Sequence, residues 1–472
     1  MKKISILIST VSSLFIFSQV TLVKDINPGT SNSNPGLTIE YNGSLYFKAS
    51  DGTNGTELWK SDGTTSGTVM VSDYRSGSAS FNPQQFVVFD NKLFFQGNDG
   101  TNGAEVYTYD GTTISLFADL KTGSGSSVPQ NFEVIGSNLY FKAQEATSTN
   151  NKIYKTDGTA APTVIDPTYN IAFGIEKLGT DLILSASPSN SYQLYKCDGT
   201  TYTLIKTINP SGSASPTNFY SDGNKVYFSA DDGTNGKELW ATDGTSAGTA
   251  MIKDISSSPG ADSSPNHFFS FNGKIYFSAN DGTNGTELWV TDGTDAGTSM
   301  LKDINVGSGN SNPSDFFAYN GKLYFTANDT TNGNELWETD GTNAGTKLFL
   351  DINPGSASSS PTDLILFNGE VFLNTNDGTV GKEFYKIDSS VLGTADGIAK
   401  QTSFYPNPSN GKLFSNAKKG FIYQVYDVKG ALLKSGKSTA GNLNLNLPDG
   451  IYILKYTIGE KSAATKIVIK NK

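Results

Sequence analysis

The stretch DGTNGTELWKSDGTTSGT, residues Asp51–Thr68, contains two Asp-Gly pairs, four glycines and one tryptophan. Closely similar stretches return at Asp232–Thr249 and Asp281–Thr298. Asp-Gly and Asn-Gly pairs between alternating apolar runs are strong hairpin signals, because glycine adopts a positive φ without strain. The stretch therefore indicates either the turns of a fold built from copies or a ligand-binding loop repeated several times.

The repeat covers most of the chain. Aligning the aromatic residue of the Glu-Leu-Trp triplet and its equivalents gives eight copies, 41 to 49 residues apart. These residues are Trp59, Tyr107, Tyr154, Tyr195, Trp240, Trp289, Trp337 and Tyr385. A period of about 48 residues without helical spacing matches one four-stranded blade of a β-propeller. The aromatic residues are predicted to pack between blades.

The copy at residues 313–352 shows how one unit is predicted to fold. Strands are expected at residues 316–321, 322–328, 335–340 and 347–352, because each has an apolar run bounded by turn residues. The second loop, between the second and third strands, and the link to the next copy are expected on the same rim. Binding residues usually lie on such loops.

The two ends of the repeat array predict that it closes into a ring. The last copy stops near Asp388 without a fourth strand, and Thr21–Gly29 reads as a fourth strand with no copy before it. Donating this strand to the last copy would cover both exposed sheet edges. The sequence thus predicts an all-β fold, an eight-bladed β-propeller of about 48-residue repeats over residues 20–388.

Paired carboxylates are the candidate metal ligands. In six copies an Asp opens the second loop and a Glu follows six residues later. The pairs are Asp51/Glu57, Asp99/Glu105, Asp232/Glu238, Asp281/Glu287, Asp329/Glu335 and Asp377/Glu383. Such oxygen ligands could hold Ca²⁺. The favoured alternative is that each Asp caps its own turn while the Glu pairs with a Lys on a neighbouring strand, since the spacing lacks the pattern of known calcium loops.

Copies three and four are the least regular. Lys152 and Gln193 replace the Glu of the pair, and both second loops are different. A unique site near residues 145–215 is one interpretation, and drift of the repeat is the favoured one.

Signals for catalysis and for resident cofactors are weak. His267 is the only histidine, so neither a histidine-rich zinc site nor a convincing Ser-His-Asp set can be assembled. Cys197 is the only cysteine and reads as an inert strand residue. No catalytic residue and no cofactor other than calcium is predicted.

The distribution of charge along the chain bears on which partners it can bind. From Lys400 onward there are twelve lysines and three acidic residues, a net of +9, which leaves −19 on the rest of the chain. An acidic body does not neutralise phosphates, so nucleic acid is not expected as a partner.

Residues 1–19 are predicted to be a signal peptide, with two lysines before an apolar run too short to span a bilayer. No transmembrane segment is expected after its removal.

The C-terminal part differs in composition. Residues 389–402 are predicted to be a linker, and residues 403–472 a small β-sandwich. Its motifs are Pro406–Pro408, Asn410-Gly411, Asp427–Gly430, Leu447-Pro448 with Gly450–Tyr452, and Lys466–Lys470. This module closely resembles the type A C-terminal sorting domain of the type IX secretion system. The resemblance implies export by that machinery and a secreted or outer-membrane surface-attached protein of Bacteroidota type.

Residues 21–388 resemble the ELWxxDGT-repeat proteins. Full matches to the name-giving string start at Glu57, Glu238, Glu287 and Glu335, and the other copies depart from it. The resemblance implies a repeat protein located outside the cell, and it implies no particular activity.

The sequence thus predicts a secreted or cell-surface, non-catalytic module for binding or adhesion. Its propeller rim would bind a glycan, a peptide, a surface protein or a matrix component. The alternative is an extracellular polysaccharide lyase or glycoside hydrolase that uses carboxylates in the propeller groove.

Overall fold

The computed structural model describes residues 20–145, 149–256, 258–388, 404–405, 412–415, 421–427, 432–438, 442–458 and 461–470. The predicted signal peptide, the predicted linker and the motifs at 406–408 and 410–411 lie outside these residues. The chain divides into two compact units, Met1–Lys386 and Ile387–Lys472. All regular elements of the described residues are β-strands, and none of these residues forms a helix able to cross a membrane.

In the larger unit, the described residues contain four sets of eight strands, one strand of each set per copy. The first strands are β2 (Gly36–Tyr41), β6 (Gln84–Phe89), β10 (Gln130–Ile135), β14 (Asn170–Leu178), β18 (Thr217–Ser221), β22 (Asn266–Phe271), β26 (Ser314–Tyr319) and β30 (Thr362–Phe367). The second strands are β3 (Ser44–Ser50), β7 (Lys92–Asn98), β11 (Asn138–Gln144), β15 (Asp181–Ser187), β19 (Val226–Asp231), β23 (Lys274–Asn280), β27 (Lys322–Asn328) and β31 (Glu370–Asn376).

The third and fourth strands complete the copies. The third strands are β4 (Thr56–Ser61), β8 (Ala104–Tyr109), β12 (Asn151–Thr156), β16 (Gln193–Cys197), β20 (Lys237–Thr242), β24 (Thr286–Thr291), β28 (Asn334–Thr339) and β32 (Lys382–Ile387). The fourth strands are β1 (Val20–Lys24), β5 (Val69–Ser72), β9 (Ile114–Ala118), β13 (Thr163–Val164), β17 (Tyr202–Lys206), β21 (Ala250–Lys253), β25 (Ser299–Lys302) and β29 (Lys347–Leu350).

Within the described residues, most copies form a separate antiparallel sheet of four strands in sequence order. Copies three and four instead share one sheet of eight strands. They join because β13 is only two residues long and Ile171 of β14 pairs with Asn151 of β12. The last sheet has the order β1-β32-β31-β30, so the N-terminal strand supplies the outer strand of the final copy as predicted.

The first strands contact each other in a cycle. Each lies against the first strand of the next copy, and β30 of the last copy lies against β2 of the first. Apolar side chains fill the layers between neighbouring sheets; one such cluster contains Val23, Phe47, Trp59, Phe367 and Phe384, from both ends of the array. This arrangement of sheets around an axis is propeller-like.

The strand bounds of the seventh copy differ slightly from the prediction. The first strand is β26 at Ser314–Tyr319 rather than 316–321, because Asn320 and Gly321 both have positive φ and form the turn. The second strand has the predicted bounds. The third starts one residue earlier, and the fourth ends at Leu350.

The smaller unit has seven strands among its described residues. They are β33 (Phe404–Tyr405), β34 (Lys412–Ser415), β35 (Phe421–Tyr426), β36 (Leu432–Ser438), β37 (Asn442–Asn444), β38 (Gly450–Ile458) and β39 (Lys461–Ile469). They form one sheet of order β33-β34-β37 and another of order β36-β35-β38-β39. Leu413 and Leu443 of the first sheet share a core with Val425, Leu454 and Ile467 of the second.

Candidate functional site

The Asp of each predicted pair caps its own turn. Asp51 Oδ1 accepts hydrogen bonds from the Thr53 and Asn54 amides at 2.9 and 2.8 Å, and Oδ2 accepts one from Asn54 Nδ2 at 2.8 Å. Partial burial raises the pKa of Asp51, but these donors outweigh it and leave the pKa below its ordinary value. The same turn-capping occurs at Asp99, Asp232, Asp281, Asp329 and Asp377.

The Glu of each pair fastens the link that leaves its copy. Glu335 is fully buried, and its carboxylate accepts the Ile352 amide at 2.8 Å, the Ser359 amide at 2.6 Å and the Ser359 hydroxyl at 2.5 Å. Burial raises the pKa of Glu335 to about 7 despite these donors. Equivalent bonds join Glu57, Glu105, Glu238, Glu287 and Glu383 to their links.

The same position keeps this role in the two irregular copies. Gln193 Oε1 accepts the Ile208 and Asn209 amides at 2.9 and 3.2 Å, and its Nε2 donates to the Asn209 and Gly212 carbonyl oxygens. Lys152 donates to the Pro167 carbonyl oxygen and, at 2.9 Å, to Asn170 Oδ1. The link of copy three therefore presents acceptors where the other links present donors.

These contacts bear on the calcium prediction. In each pair the two carboxylates accept hydrogen bonds from different segments, and the Glu bonds the link rather than a neighbouring Lys. Among the described residues there is no group of three or more His, Cys, Asp or Glu side chains suited to a metal ion. Calcium binding at these pairs would require the ion to compete with the N–H and O–H donors, and it stays a prediction.

The two glycines of the second loop allow this loop to pack closely against the preceding link and the following link. A Cβ on Gly52 would lie 2.5 Å from Asn27 Oδ1 of the preceding link, and one on Gly55 would lie 2.5 Å from the Ala79 carbonyl oxygen of the following link. The second loops and the links therefore lie together, as the sequence predicts. The repeated stretch is thus largely explained by the packing of turns and links.

One copy breaks the pattern and leaves a cavity. In each of the seven other first strands the second residue has a φ between 52° and 60° although it is not glycine. These residues are Leu37, Gln85, Asn131, Asn218, His267, Asp315 and Asp363. Strand β14 of copy four is longer, at nine residues, and all of its residues have negative φ. A cavity of about 380 Å³ lies between β14 and its neighbours β10 and β18, and residues 172–176 of β14 form one wall.

Two carboxylates distinguish this cavity, named here the copy-four cavity. Glu133 of β10 and Glu176 of β14 both line it, and each faces the same position of its second strand, at Tyr140 and Ile183. The other copies have apolar or aromatic residues there: Ile39, Val87, Tyr220, Phe269, Phe317 and Ile365.

Burial raises the pKa of both carboxyl groups to about 7. Lys177 lowers that of Glu133, whereas Glu133 further raises that of Glu176.

Basic, amide and aromatic groups complete the lining. Lys142 is buried with its Nζ 3.4 Å from the Ala172 carbonyl oxygen, and burial lowers its pKa. Phe173 lines the cavity with 39% of its surface exposed. Asn131 and Asn218 contribute amides from the two flanking strands. The cavity thus combines hydrogen-bonding groups with aromatic side chains, so it offers both polar and apolar contacts to a ligand.

Sequence reasoning identified the irregular copies but missed Glu133 and Glu176. The available signal was their register: a Glu in each of two consecutive first strands, where the sister strands are apolar.

His267 lies in the second position of β22 with Nδ1 3.4 Å from Ser278 Oγ. Cys197 is fully buried, and burial raises its pKa to about 11, in accord with an inert strand residue.

Comparisons with known proteins identify the tail. Residues 403–470 match the family model described as "Secretion system C-terminal sorting domain". Among curated proteins, none matches the chain significantly.

Solved structures with some similarity to the chain include a prolyl endopeptidase, at 11% identity and a TM-score of 0.46 over 91% of this chain. The chain spans 55% of the length of that protein. The β-propeller domain of the Trilobed protease from Pyrococcus furiosus matches at 11% identity and a TM-score of 0.42, over 67% of this chain and 98% of that domain. BamB from Moraxella catarrhalis matches at 11% identity and a TM-score of 0.39, over 81% and 96%.

The sorting domain confirms the predicted route of export. It implies interaction with the type IX secretion machinery, which is typical of Bacteroidota. The chain is therefore a secreted or cell-surface protein with a type IX sorting domain at its C-terminus.

Proposed function

We propose that this protein is a non-catalytic binding module outside the cell, built on an eight-bladed β-propeller at residues 20–388. Three observations support the propeller: the cycle of first strands, the outer strand that β1 gives to the last sheet, and the apolar cluster shared by the two ends. The tail is proposed to be a β-sandwich, since its two sheets share one core. The signal peptide, the linker and the boundary at residue 403 belong to the same proposal.

The observation that carries the binding function is the copy-four cavity. The sister first strands have apolar or aromatic residues at the positions of Glu133 and Glu176, and burying carboxylates there opposes folding. Glu133 and Glu176 are nevertheless buried enough to raise their pKa values. Glu57 and Glu335 have similarly raised pKa values as link fasteners, so what distinguishes Glu133 and Glu176 is that both line a cavity. The ligand would be a glycan, a peptide or a matrix component that binds at this cavity.

A ligand screen on the mature full chain tests this function. Glycan arrays and pull-downs with matrix proteins and peptides should find a ligand, and Glu176→Tyr should abolish its binding, because copy five has Tyr220 at that register. Ile39→Val, at the same register in copy one, is the matched control and should leave binding unchanged. Failure to find any ligand would contradict the proposal. If the protein released reducing ends from a polysaccharide, polysaccharide hydrolysis would replace non-catalytic binding as its function.

Calcium at the six Asp/Glu pairs is a separate proposal, tested by calorimetric titration. Several bound ions together with a raised melting temperature would support it, because a ligand that prefers the folded state must stabilise it. A flat titration without a thermal shift would leave the pairs as turn caps and link fasteners.

A further inference from the structure

We propose that the copy-four cavity binds a neutral saccharide, one or two sugar rings in size. This inference rests on the proposed binding function and names its ligand class. The cavity volume of about 380 Å³ lies at the small end of the ~300–1,000 Å³ typical of ligand pockets. It therefore suits the end of a glycan chain or a short side branch rather than an extended polymer segment.

The balance of charge around the cavity argues for a neutral ligand. Glu133 and Glu176 contribute two carboxylates, Lys142 lines the cavity with them, and Lys177 is near enough to lower the pKa of Glu133. Lys142 Nζ lies 3.4 Å from the Ala172 carbonyl oxygen, and Lys177 Nζ donates to the Val134 carbonyl oxygen at 3.0 Å. Because charges of both signs lie on and beside its wall, the cavity carries little net charge. An ionic ligand would therefore gain little net attraction to offset its lost hydration.

The hydrogen-bonding groups suit hydroxyls, which both donate and accept. The Asn131 and Asn218 amides provide donors and acceptors, and the glutamates provide acceptors. Asn218 Nδ2 donates to the Pro265 carbonyl oxygen at 3.1 Å, which orients its amide. The buried hydroxyl of Ser229 has no hydrogen-bond partner, and Ser229 lies directly opposite Thr217 of the cavity wall in the sheet register. Paired residues project on the same face of a sheet, so Ser229 shares its face of the sheet with Thr217.

An aromatic side chain supplies the apolar contact. Phe173 exposes 39% of its surface at the cavity although it belongs to a strand with buried neighbours Ile171 and Ile175. The face of an aromatic ring is electron-rich and attracts the polarised C–H groups of a sugar ring. Gly174 opens the space beside it: a Cβ there would lie 3.7 Å from Asn131 Nδ2 and 3.9 Å from the Phe219 ring, both ordinary contacts.

The test is calorimetric titration of the mature full-length protein with matched probes. Cellobiose, maltose, xylobiose and N,N′-diacetylchitobiose are the neutral probes. Digalacturonate is the anionic probe, and the glucosamine dimer and a Lys-rich tripeptide are the cationic ones. At least one neutral disaccharide should bind ~10-fold or more tightly than every charged probe. Phe173→Ala should weaken that binding ~10-fold or more by removing the aromatic contact.

Two further variants keep the test decisive. Gly174→Leu should abolish binding by filling the cavity, and its backbone φ permits the side chain. Leu366→Ala, an equally exposed apolar residue of β30, is the control and should change nothing. Melting curves check that each variant is folded.

The outcomes separate the inference from the function on which it rests. Tighter binding of a charged probe, lost in Gly174→Leu, would overturn the neutral-sugar inference and leave the binding module standing. Neutral-sugar binding that survives both Phe173→Ala and Gly174→Leu would overturn the assignment to this cavity. If no probe binds and the wider ligand screen is also empty, the inference and the proposed function both fail.

Discussion

At the scale of single residues, the buried Glu of the repeat is a fastener for the link. It accepts amide and hydroxyl hydrogen bonds from a segment 15 to 25 residues further along the chain in most copies. In the last copy its partners are Ile26 and Ser33, at the other end of the array. The residue thus converts a long Ser/Gly/Pro crossing into a fixed connection.

Removing this fastener should destabilise the fold. Glu335→Ala would leave the buried amides of Ile352 and Ser359 without their acceptor. Each unsatisfied buried group costs ~1–3 kcal/mol, so we expect the free energy of unfolding to fall by roughly 2–4 kcal/mol in denaturant titrations.

Glu338→Ala is the control on the same strand. It removes ion pairs with Lys322 and Lys347 that have N–O distances of 3.8 and 3.5 Å. Both lysines are partly exposed to solvent although Glu338 is buried, so each of these long ion pairs should contribute ~1 kcal/mol or less. Equal losses for the two variants would contradict the fastening role.

The same carboxyl groups predict a dependence of stability on pH. Burial raises the pKa of Glu57 and Glu335 from 4.5 to about 7. The folded state therefore binds more protons than the unfolded state between these values, and the free energy of unfolding falls as the pH rises through that window. We expect a higher melting temperature at pH 5 than at pH 8. The difference should shrink in Glu335→Gln, and a melting temperature that rises towards pH 8 would refute the assignment.

At the scale of elements, the second loops and the links are packed so closely that glycine is required. Gly103 has a φ of +72°, and a Cβ there would lie 2.0 Å from the Gly125 carbonyl oxygen of the link. Gly43 has nearly the same φ, +71°, but a Cβ there would meet nothing within 4 Å. The two glycines therefore separate backbone strain from steric collision.

Alanine substitutions at these two glycines should differ in cost. Gly43→Ala should lose ~1–2 kcal/mol, the strain of a left-handed residue. Gly103→Ala should lose about 1–3 kcal/mol more, because the link must move to admit the methyl group. Thermal and denaturant unfolding of both variants measure the difference. Equal costs would mean that the loop does not press on the link.

Much of this architecture can be predicted from the sequence because it repeats. The Asn-Gly and Asp-Gly turns mark the hairpins, and β27 has the bounds predicted for it. The partner of the buried Glu could not be predicted, since it is backbone in a link with little pattern of its own. Glu133 and Glu176 were missed because a carboxylate in a strand reads as a solvent-facing residue unless its register is compared with that of every sister strand.

At the scale of the whole larger unit, equivalent copies give stability and one exception gives a cavity. Most copies interlock through the same turns, links and apolar layers. Copy four replaces the strained second residue of its first strand by a longer extended strand with Ala172 and Gly174 at the cavity. The cycle of first strands nevertheless continues through copy four, because β14 contacts both β10 and β18.

Closure of the array by β1 gives the last prediction. Val23 is 4% exposed, and it packs in the cluster that joins the two ends of the array. Gly63 of copy one also lies against Phe372 of the last copy, where an added Cβ would come within 2.9 Å of the ring. Val23→Asp should therefore destabilise the whole unit by roughly 3 kcal/mol or more, since it buries an unpaired charge at the closure.

Thr21→Asp provides the matched control, because Thr21 is exposed on the same strand. It should change the free energy of unfolding by no more than about 0.5 kcal/mol. Hydrogen exchange gives the sharper readout: in Val23→Asp the amides of β32 and β4 should lose protection together, because an open end exposes both neighbouring sheets. The released edge of β32 should also promote association between chains. If amide protection were lost only at residues 20–24, β1 would pair with the last sheet without closing the array.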